Sequence, residues 1–271
     1  MKDYLSINQY IHYNKLSDKI ITNDIDAWKE LIDYHFIYNK LWVAESQKIN
    51  CGPMGILPEK YPVICKPIIN LFGMSRSVKK INNEDEYQKN IQDGLFWMNY
   101  LVGVNFNLDL VLLNGQIVFY SCLKSYPISN GLFSYHESLP EYKILNKTKK
   151  WISKYLEDYS GCLNLEIIDG NIIEAHLRLN GDFFLYDLEF ITALSELYQH
   201  NVWILNEYPI KKIYIFPIFV KSDYKLECMD IDEVVKIFSK YEVNLFRIDD
   251  IYSNYQKEGI SRLFIYDVNN Y

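Results

Sequence analysis

The sequence predicts an α+β fold of two lobes, because hairpin signals and helical stripes are interspersed along the chain instead of alternating as in a doubly wound sheet. Asn114-Gly115 and Asp169-Gly170 each join two apolar, β-prone runs, the pattern of a tight hairpin whose central residues take positive φ. At 271 residues, with 49% hydrophobic and 23% charged positions, the chain has the composition of a globular protein able to bury one large core or two modest ones.

Residues 24–47 read as the first helix. Trp28, Leu31, Ile32, His35, Leu41, Trp42 and Ala44 recur at helical spacing, Asn23 or Asp24 can cap the start, and Cys51-Gly52-Pro53 stops it. Tyr61–Lys66 is a short β-rich run, followed by a loop through Asn70–Ser75 and a second run at Ser77–Ile81. A helix over 84–93 follows Asn83 and ends at Gly94. Strand pattern resumes at Phe96, with Val104–Leu113 joined to Gln116–Ser121 as the first hairpin. Pro140 sits at a helix start, and Tyr142, Leu145, Trp151, Ile152, Tyr155 and Leu156 form its apolar stripe up to Gly161. The second hairpin pairs Leu163–Ile168 with Asn171–Leu177. The rest reads as helix 187–199, strand 211–220, helix 230–240, and strands near 243–248 and 262–268.

The formal charge of −7 argues against a protein that grips a nucleic-acid backbone, which needs an excess of Lys and Arg, but leaves room for a nucleotide held by a few local cations. Five widely spaced cysteines, Cys51, Cys65, Cys122, Cys162 and Cys228, lack zinc-site spacing and read as reduced, mostly core residues. No apolar run approaches the roughly 20 residues of a membrane span, so the expectation is a soluble, cytoplasmic protein. The 24 Tyr and 14 Phe carry no functional weight.

The second hairpin is the segment richest in chemistry. Strand alternation places Asn164 and Glu166 on one face, and Glu174, His176 and Arg178 on one face. If Asp169-Gly170 pairs 168 with 171, Glu166 lies near position 173 and diagonally close to Glu174. Two carboxylates so placed suit a divalent ion bridged to phosphates, with His176 completing the group and Arg178 neutralising a phosphoryl oxygen. The bland alternative is a solvated strand face of mixed charge. Lys66 is singled out because a lysine inside an apolar β-run is expensive to bury unless it meets a charge. Its alternative is an edge-strand lysine reaching solvent.

In this hairpin the chain resembles the ATP-grasp superfamily, whose members include biotin carboxylase and D-alanine–D-alanine ligase. The superfamily hairpin carries an acid on one strand and E-x-N-x-R on the next. Glu166, Glu174 and Arg178 match, while His176 stands at the Asn position. Asn39-Lys40-Leu41 and Tyr61-Pro62-Val63-Ile64-Cys65-Lys66-Pro67 look like the superfamily's two phosphate-binding lysine sites. The resemblance covers roughly residues 38–182 in the correct order. Strings such as YNKLWVAESQ, CGPMG, KPIINLFGM and IIEAHLRLNGD are also similar to a group of small ATP-grasp proteins.

The resemblance implies two α+β lobes with the nucleotide between them and a reduced N-terminal domain. Its divisions are a short N-terminal segment 1–37, a small lobe 38–97, a large lobe 98–186 with the metal hairpin, and a C-terminal extension 187–271 completing the large lobe. It also implies ATP with Mg²⁺, or Mn²⁺, the metal on Glu166, Glu174 and His176. The nucleotide would be held by Lys40, Lys66, the loop residues Gly73, Ser75 and Arg76, and backbone groups at the hinge around Asn99 and Leu101. Lys124 and His136, after the first hairpin, could reach phosphate or substrate, with solvated basic residues as the alternative. Lys66 and Arg178 would act in catalysis.

The implied activity is an ATP-dependent ligase that activates a small-molecule or peptide carboxylate as an acyl phosphate for attack by an amine or another nucleophile. A phosphotransferase using the same site and a nucleotide-binding protein without turnover remain as alternatives. An oligomeric structural protein is a further one, suggested only by the aromatic content.

Overall fold

A computed structural model describes residues 17–72, 77–127, 133–180, 186–210 and 212–221, together with strands at 244–248 and 260–267. Two antiparallel sheets organise them. The smaller contains β1 (Cys51–Pro53), β2 (Val63–Pro67), β3 (Lys79–Ile81) and β4 (Leu95–Asn99) in the order β1-β4-β2-β3. The larger contains β5 (Asn105–Leu113), β6 (Gln116–Pro127), β7 (Phe133–Ser138), β8 (Gly161–Ile168), β9 (Asn171–His176), β10 (Tyr214–Lys221), β11 (Asn244–Ile248) and β12 (Ile260–Asp267). Its order is β11-β12-β10-β7-β6-β5-β8-β9. The described α-helices are α1 (Asp24–Glu30), α2 (Lys40–Ser46), α3 (Glu84–Lys89), α4 (Asn146–Tyr155) and α5 (Leu188–His200). The architecture is α+β, as the sequence indicates.

Both hairpin turns form where expected. Asn114 and Gly115 take φ of 48° and 72°, and Asp169 and Gly170 take the same two values, the twist that matches two tightly joined strands. The helix expected over 24–47 is broken twice. Leu31 leaves helical geometry, Ile32–Tyr38 tightens into a 3₁₀ helix, and Asn39 turns extended to cap α2, its side chain accepting the Trp42 N–H at 3.0 Å. The helix expected from Pro140 begins at Asn146. Leu139 still donates its N–H to Cys122 at 2.9 Å and Tyr142 closes a turn back on Leu139, so 140–145 serve as the exit from β7. Cys51–Pro53 forms an edge strand as well as ending the helix, and α3 stops at Lys89, before Gly94. The helix expected at 230–240 lies outside the described residues.

One face of the large sheet carries Leu108, Leu110, Leu112, Leu163 and Leu165, which pack against Trp151, Ile152 and Leu156 of α4 and against Ala27, Ile37 and Val43. On the other face Val111, Phe119, Leu123 and Cys162 lie under Phe190, Ile191, Leu194 and Leu197 of α5. Beyond the reach of α5 that second face turns polar.

Strand β9 is an edge of the large sheet, and unpaired edges invite foreign strands. The chain from α1 to Gln47 covers it. Gln47 acts as a short stretch of partner strand, its Nε2 donating to the Ile172 carbonyl at 2.7 Å and its Oε1 accepting the Ile172 N–H at 2.8 Å. In the small sheet, alternation sends Val63, Cys65 and Trp97 to an outer cluster with Ile81 and Tyr87, while Phe96 and Met98 face Ala44 and Ile173. Lys66 pairs with Phe96 in the register and so points to that inner side, toward the large sheet. Cys51, Cys65, Cys122 and Cys162 are free thiols. No helix among the described residues is long and apolar enough to cross a membrane.

Candidate active site

A single extra residue assembles the site. Ile168 pairs with Asn171 and Ile167 with Ile172, but the next pair is Glu166 with Glu174, so Ile173 is a β-bulge. Unbroken alternation would place Glu166 opposite 173 and leave Glu174 on the other face. The bulge puts both carboxylates directly opposite each other, and Asn164 directly opposite His176. Across β5 the same rows continue to Asn107 and Asp109. The polar part of the sheet thus reads Asn107–Glu166–Glu174 in one row and Asp109–Asn164–His176 in the next. The diagonal proximity expected from the turn alone is corrected to direct opposition.

Three cations meet these acids. Lys40, at the first turn of α2, is 6% exposed and forms an ion pair with Glu174 Oε1. Lys66, equally buried, donates from Nζ to the Ile173 carbonyl at 2.8 Å, so the carbonyl freed by the bulge receives a cationic donor from the other sheet. Arg178 donates to Asp24 Oδ2 at 2.8 Å and to the Leu179 carbonyl at 3.0 Å. Asp24 is itself buried, and its Oδ1 lies 3.0 Å from His176 Nδ1. His176 Nε2 lies 3.5 Å from Glu174 Oε1. Three carboxylates therefore face three basic side chains, with an imidazole between them.

This shielded mixture moves several protonation equilibria. Burial lowers the Lys66 ammonium to about 8, reinforced by Lys40 and partly offset by Glu174 and Glu166. Burial also acts to raise Glu174, but Lys40, His176 and Lys66 outweigh it and hold that carboxyl below its ordinary range. Glu166 moves upward, by burial and then by the Glu174 charge. For Asp24 the upward push of burial is overcome by His176 and Arg178, so it stays ionised. Asp109 lies deeper and is completely buried. It accepts the Asn164 amide and the Asn180 N–H, each at 2.8 Å, and burial still raises it to about 6.

Metal-ligating geometry is present. One ligand atom each from Glu166, Glu174 and His176 lies within 4.8 Å of the others, a spacing and donor set that fit a divalent cation with positions left for water or phosphate oxygens.

Of the other sequence candidates, Lys124 and His136 lie apart from this group of acids and bases. Gly73, Ser75 and Arg76 lie outside the described residues. Asn99 ends β4 with its N–H already donated to the Asn50 carbonyl at 2.9 Å, so that donor is occupied, and Leu101 packs half-buried against the inner cluster of the small sheet. Lys124 pairs with Phe106, which pairs with Ile167, so it sits on the opposite face of the large sheet from Glu166; its Nζ lies 4.7 Å from the Tyr126 ring centre. His136 is buried on the same face as Glu166 but one row and several strands away, with Nδ1 2.8 Å from Ser125 Oγ. Neither residue is the solvated loop cation of the bland reading.

No protein-family model and no curated protein sequence matches the chain. Solved structures do. Carboxyaminoimidazole ribonucleotide synthase from Aspergillus clavatus, complexed with ATP, aligns at TM-score 0.63 and 12% identity over 91% of this chain and 74% of that one. L-amino acid ligase from Bacillus licheniformis aligns at 0.57 and 11%, over 87% and 68%. Biotin carboxylase from Campylobacter jejuni, as a beta-gamma-ATP complex, aligns at 0.55 and 12%, over 87% and 63%. The chain has the ATP-grasp fold. Within this ATP-grasp fold the residues missed by sequence reading are Asp24, taken only as a possible helix cap, Gln47 and Asp109. Asn23 does the capping, accepting the Asp26 N–H at 2.9 Å, which leaves Asp24 free to turn inward. No local signal marks Asp24, because its partners lie more than 150 positions away.

Proposed function

We propose that the protein is an ATP- and Mg²⁺-dependent ligase that activates a carboxylate as an acyl phosphate for attack by an amine or another nucleophile. The observation that carries this reading is the meeting of Lys40 and Lys66 with Glu166, Glu174 and His176 on a polar sheet face between the two sheets, since phosphoryl transfer is catalysed mainly by positioning and charge. Small-molecule sites of this kind favour a boundary between structural units.

In this reading the cleft between the lobe of 38–97 and the lobe of 98–186 receives ATP, and 187–271 completes the second lobe. Glu166, Glu174 and His176 would hold the divalent ion, which when bound offsets charge on the β- and γ-phosphates. Lys66 supplies a positive charge from the small sheet, on a strand whose alternate side chains fix it in the core. Lys40, ion-paired with Glu174 beside that group, would offer its remaining N–H donors to phosphate oxygens. Arg178, braced by Asp24, presents its remaining donors to a transferring phosphoryl group. Catalysis of this type needs no nucleophilic side chain.

The fold comparison supports the same reading at a coarser level: the similar Aspergillus protein is complexed with ATP, and a similar Bacillus protein is an amino-acid ligase. The test is incubation with ATP, Mg²⁺ and paired panels of carboxylates and amines, with products resolved by mass spectrometry. ADP, phosphate and an amide are expected. A phosphorylated product without condensation would make the protein a phosphotransferase, and ATP retention without turnover across the panels would make it a nucleotide-binding protein.

A further inference from the structure

His176 is held from behind. The residue is 3% exposed, Nδ1 lies 3.0 Å from Asp24 Oδ1, and Nε2 lies 3.5 Å from Glu174 Oε1 on the other side of the ring. Asp24 cannot easily turn away, because its second oxygen accepts Arg178 at 2.8 Å and the carboxylate is only 5% exposed. A ring nitrogen bonded to a carboxylate keeps its proton, which fixes the tautomer and leaves the lone pair on the other nitrogen. In this chain the nitrogen left for a cation is Nε2, 3.5 Å from Glu174 Oε1, and a bound ion would take the place of its proton. Tyr38 edges the same ring, with centroids 6.3 Å apart, and its hydroxyl accepts the Leu177 N–H at 3.2 Å, which further restricts ring rotation.

We propose that Asp24 is a positioning residue that presents His176 Nε2 as a nitrogen ligand beside Glu166 and Glu174, and that the site prefers a first-row transition cation, with Mn²⁺ as the probe, over Mg²⁺. The inference rests on the metal-site reading above and sharpens it. The argument is one of donor chemistry. Mg²⁺ is hard, dehydrates reluctantly and prefers oxygen, whereas an imidazole nitrogen suits transition ions. A site of two carboxylates alone would discriminate weakly. Replacing one oxygen donor by an oriented imidazole shifts selectivity toward the softer ion, and orientation by a buried carboxylate typically changes affinity ten- to a hundredfold. Asp24 comes from α1, ahead of both sheets, so a segment outside the site's own hairpin sets the chemistry of the ion.

The experiment is a Mn²⁺ titration followed by electron paramagnetic resonance on the full chain without nucleotide, with Mg²⁺ competition and electron spin-echo modulation of the bound ion. Wild type is expected to show ¹⁴N modulation from a coordinated imidazole. His176→Asn, which keeps a polar side chain of similar size, should abolish that modulation and lower the Mn²⁺-to-Mg²⁺ affinity ratio at least tenfold. Asp24→Asn removes the charge behind the ring and should weaken Mn²⁺ ten- to a hundredfold. Urea unfolding of each variant without metal shows that the comparison is between folded proteins, and the His176→Asn arm stands if Asp24→Asn does not fold. Absence of ¹⁴N modulation in wild type, or an unchanged affinity ratio in His176→Asn, overturns nitrogen ligation. Asp24→Asn binding Mn²⁺ as wild type does overturns the positioning role. A parallel ATP titration with Mg²⁺ keeps the two readings apart: loss of nucleotide binding in wild type would remove the ligase proposal while leaving the Mn²⁺ spectrum to decide this one.

Discussion

Replacing Glu174 with glutamine keeps the side chain's shape and removes its charge. In the folded protein that charge faces Lys40, whose side chain is 7% exposed, while Glu174 itself is 15% exposed. Breaking a buried pair by removing one partner costs about 3–5 kcal/mol; the amide oxygen still accepts a hydrogen bond from Lys40, so the lower end, about 3 kcal/mol, is expected. At roughly 2–4 °C per kcal/mol for a chain of this size, the melting temperature should fall by about 6–12 °C. The same substitution removes one of two carboxylates from the cation site, and Mg²⁺-dependent ATP binding should weaken at least tenfold, about 1.4 kcal/mol. The two effects are separable. Lys40→Met combined with Glu174→Gln replaces the ion pair by groups that need no counter-charge, so stability should recover to within about 1–2 kcal/mol of wild type. Metal-dependent ATP binding should not recover. The assay pairs urea unfolding without ligand with calorimetric ATP titrations at fixed Mg²⁺ on wild type and both variants. Superimposable ATP titrations for wild type and Glu174→Gln would refute the metal assignment. Unchanged unfolding would refute the buried pair with Lys40.

Lys66→Met keeps the aliphatic length packed near Phe96 and removes the ammonium; ATP affinity should drop by about 1.5–3 kcal/mol, the range for hydrogen bonds to charged groups, and equal affinity by calorimetry would take Lys66 out of the site. Asp109 is raised from 3.8 to about 6, so its contribution to stability is complete below about pH 4 and is lost as pH rises through 6. Asp109→Asn retains the acceptor oxygen for Asn164 and Asn180 and does not ionise, so its stability relative to wild type should increase by about 3 kcal/mol between pH 4 and 7. A flat difference in urea unfolding across that interval would mean that Asp109 is not perturbed. Gly115→Ala should destabilise the protein by at least about 1–2 kcal/mol, because φ is 72° and the added methyl would overlap the Glu157 carbonyl; an unchanged melting curve would contradict that turn geometry.

What the sequence alone determined is local. Asn-Gly and Asp-Gly dictate their hairpins because few other residues accept two successive positive φ values, and alternation then places Glu174, His176 and Arg178 on one side of their strand. The conflict that buries a lysine in an apolar strand is also visible without coordinates, and Lys66 does sit in the core with a partner. Tertiary structure decided how these pieces meet. The Ile173 bulge cannot be read from residues that are equally good in unbroken strand, yet it alone brings Glu166 opposite Glu174, and its freed carbonyl takes Lys66 from the other sheet. The break at Asn39 likewise depends on helix α2 lying against both β9 and the small sheet, where Lys40 reaches Glu174. Asp24 is the clearest case. Next to Asn23 it has the chemistry of a helix cap, and it joins His176 and Arg178 only because folding brings α1 over the sheet edge, a contact set by packing over a long stretch of chain and not by the propensity of any residue near it.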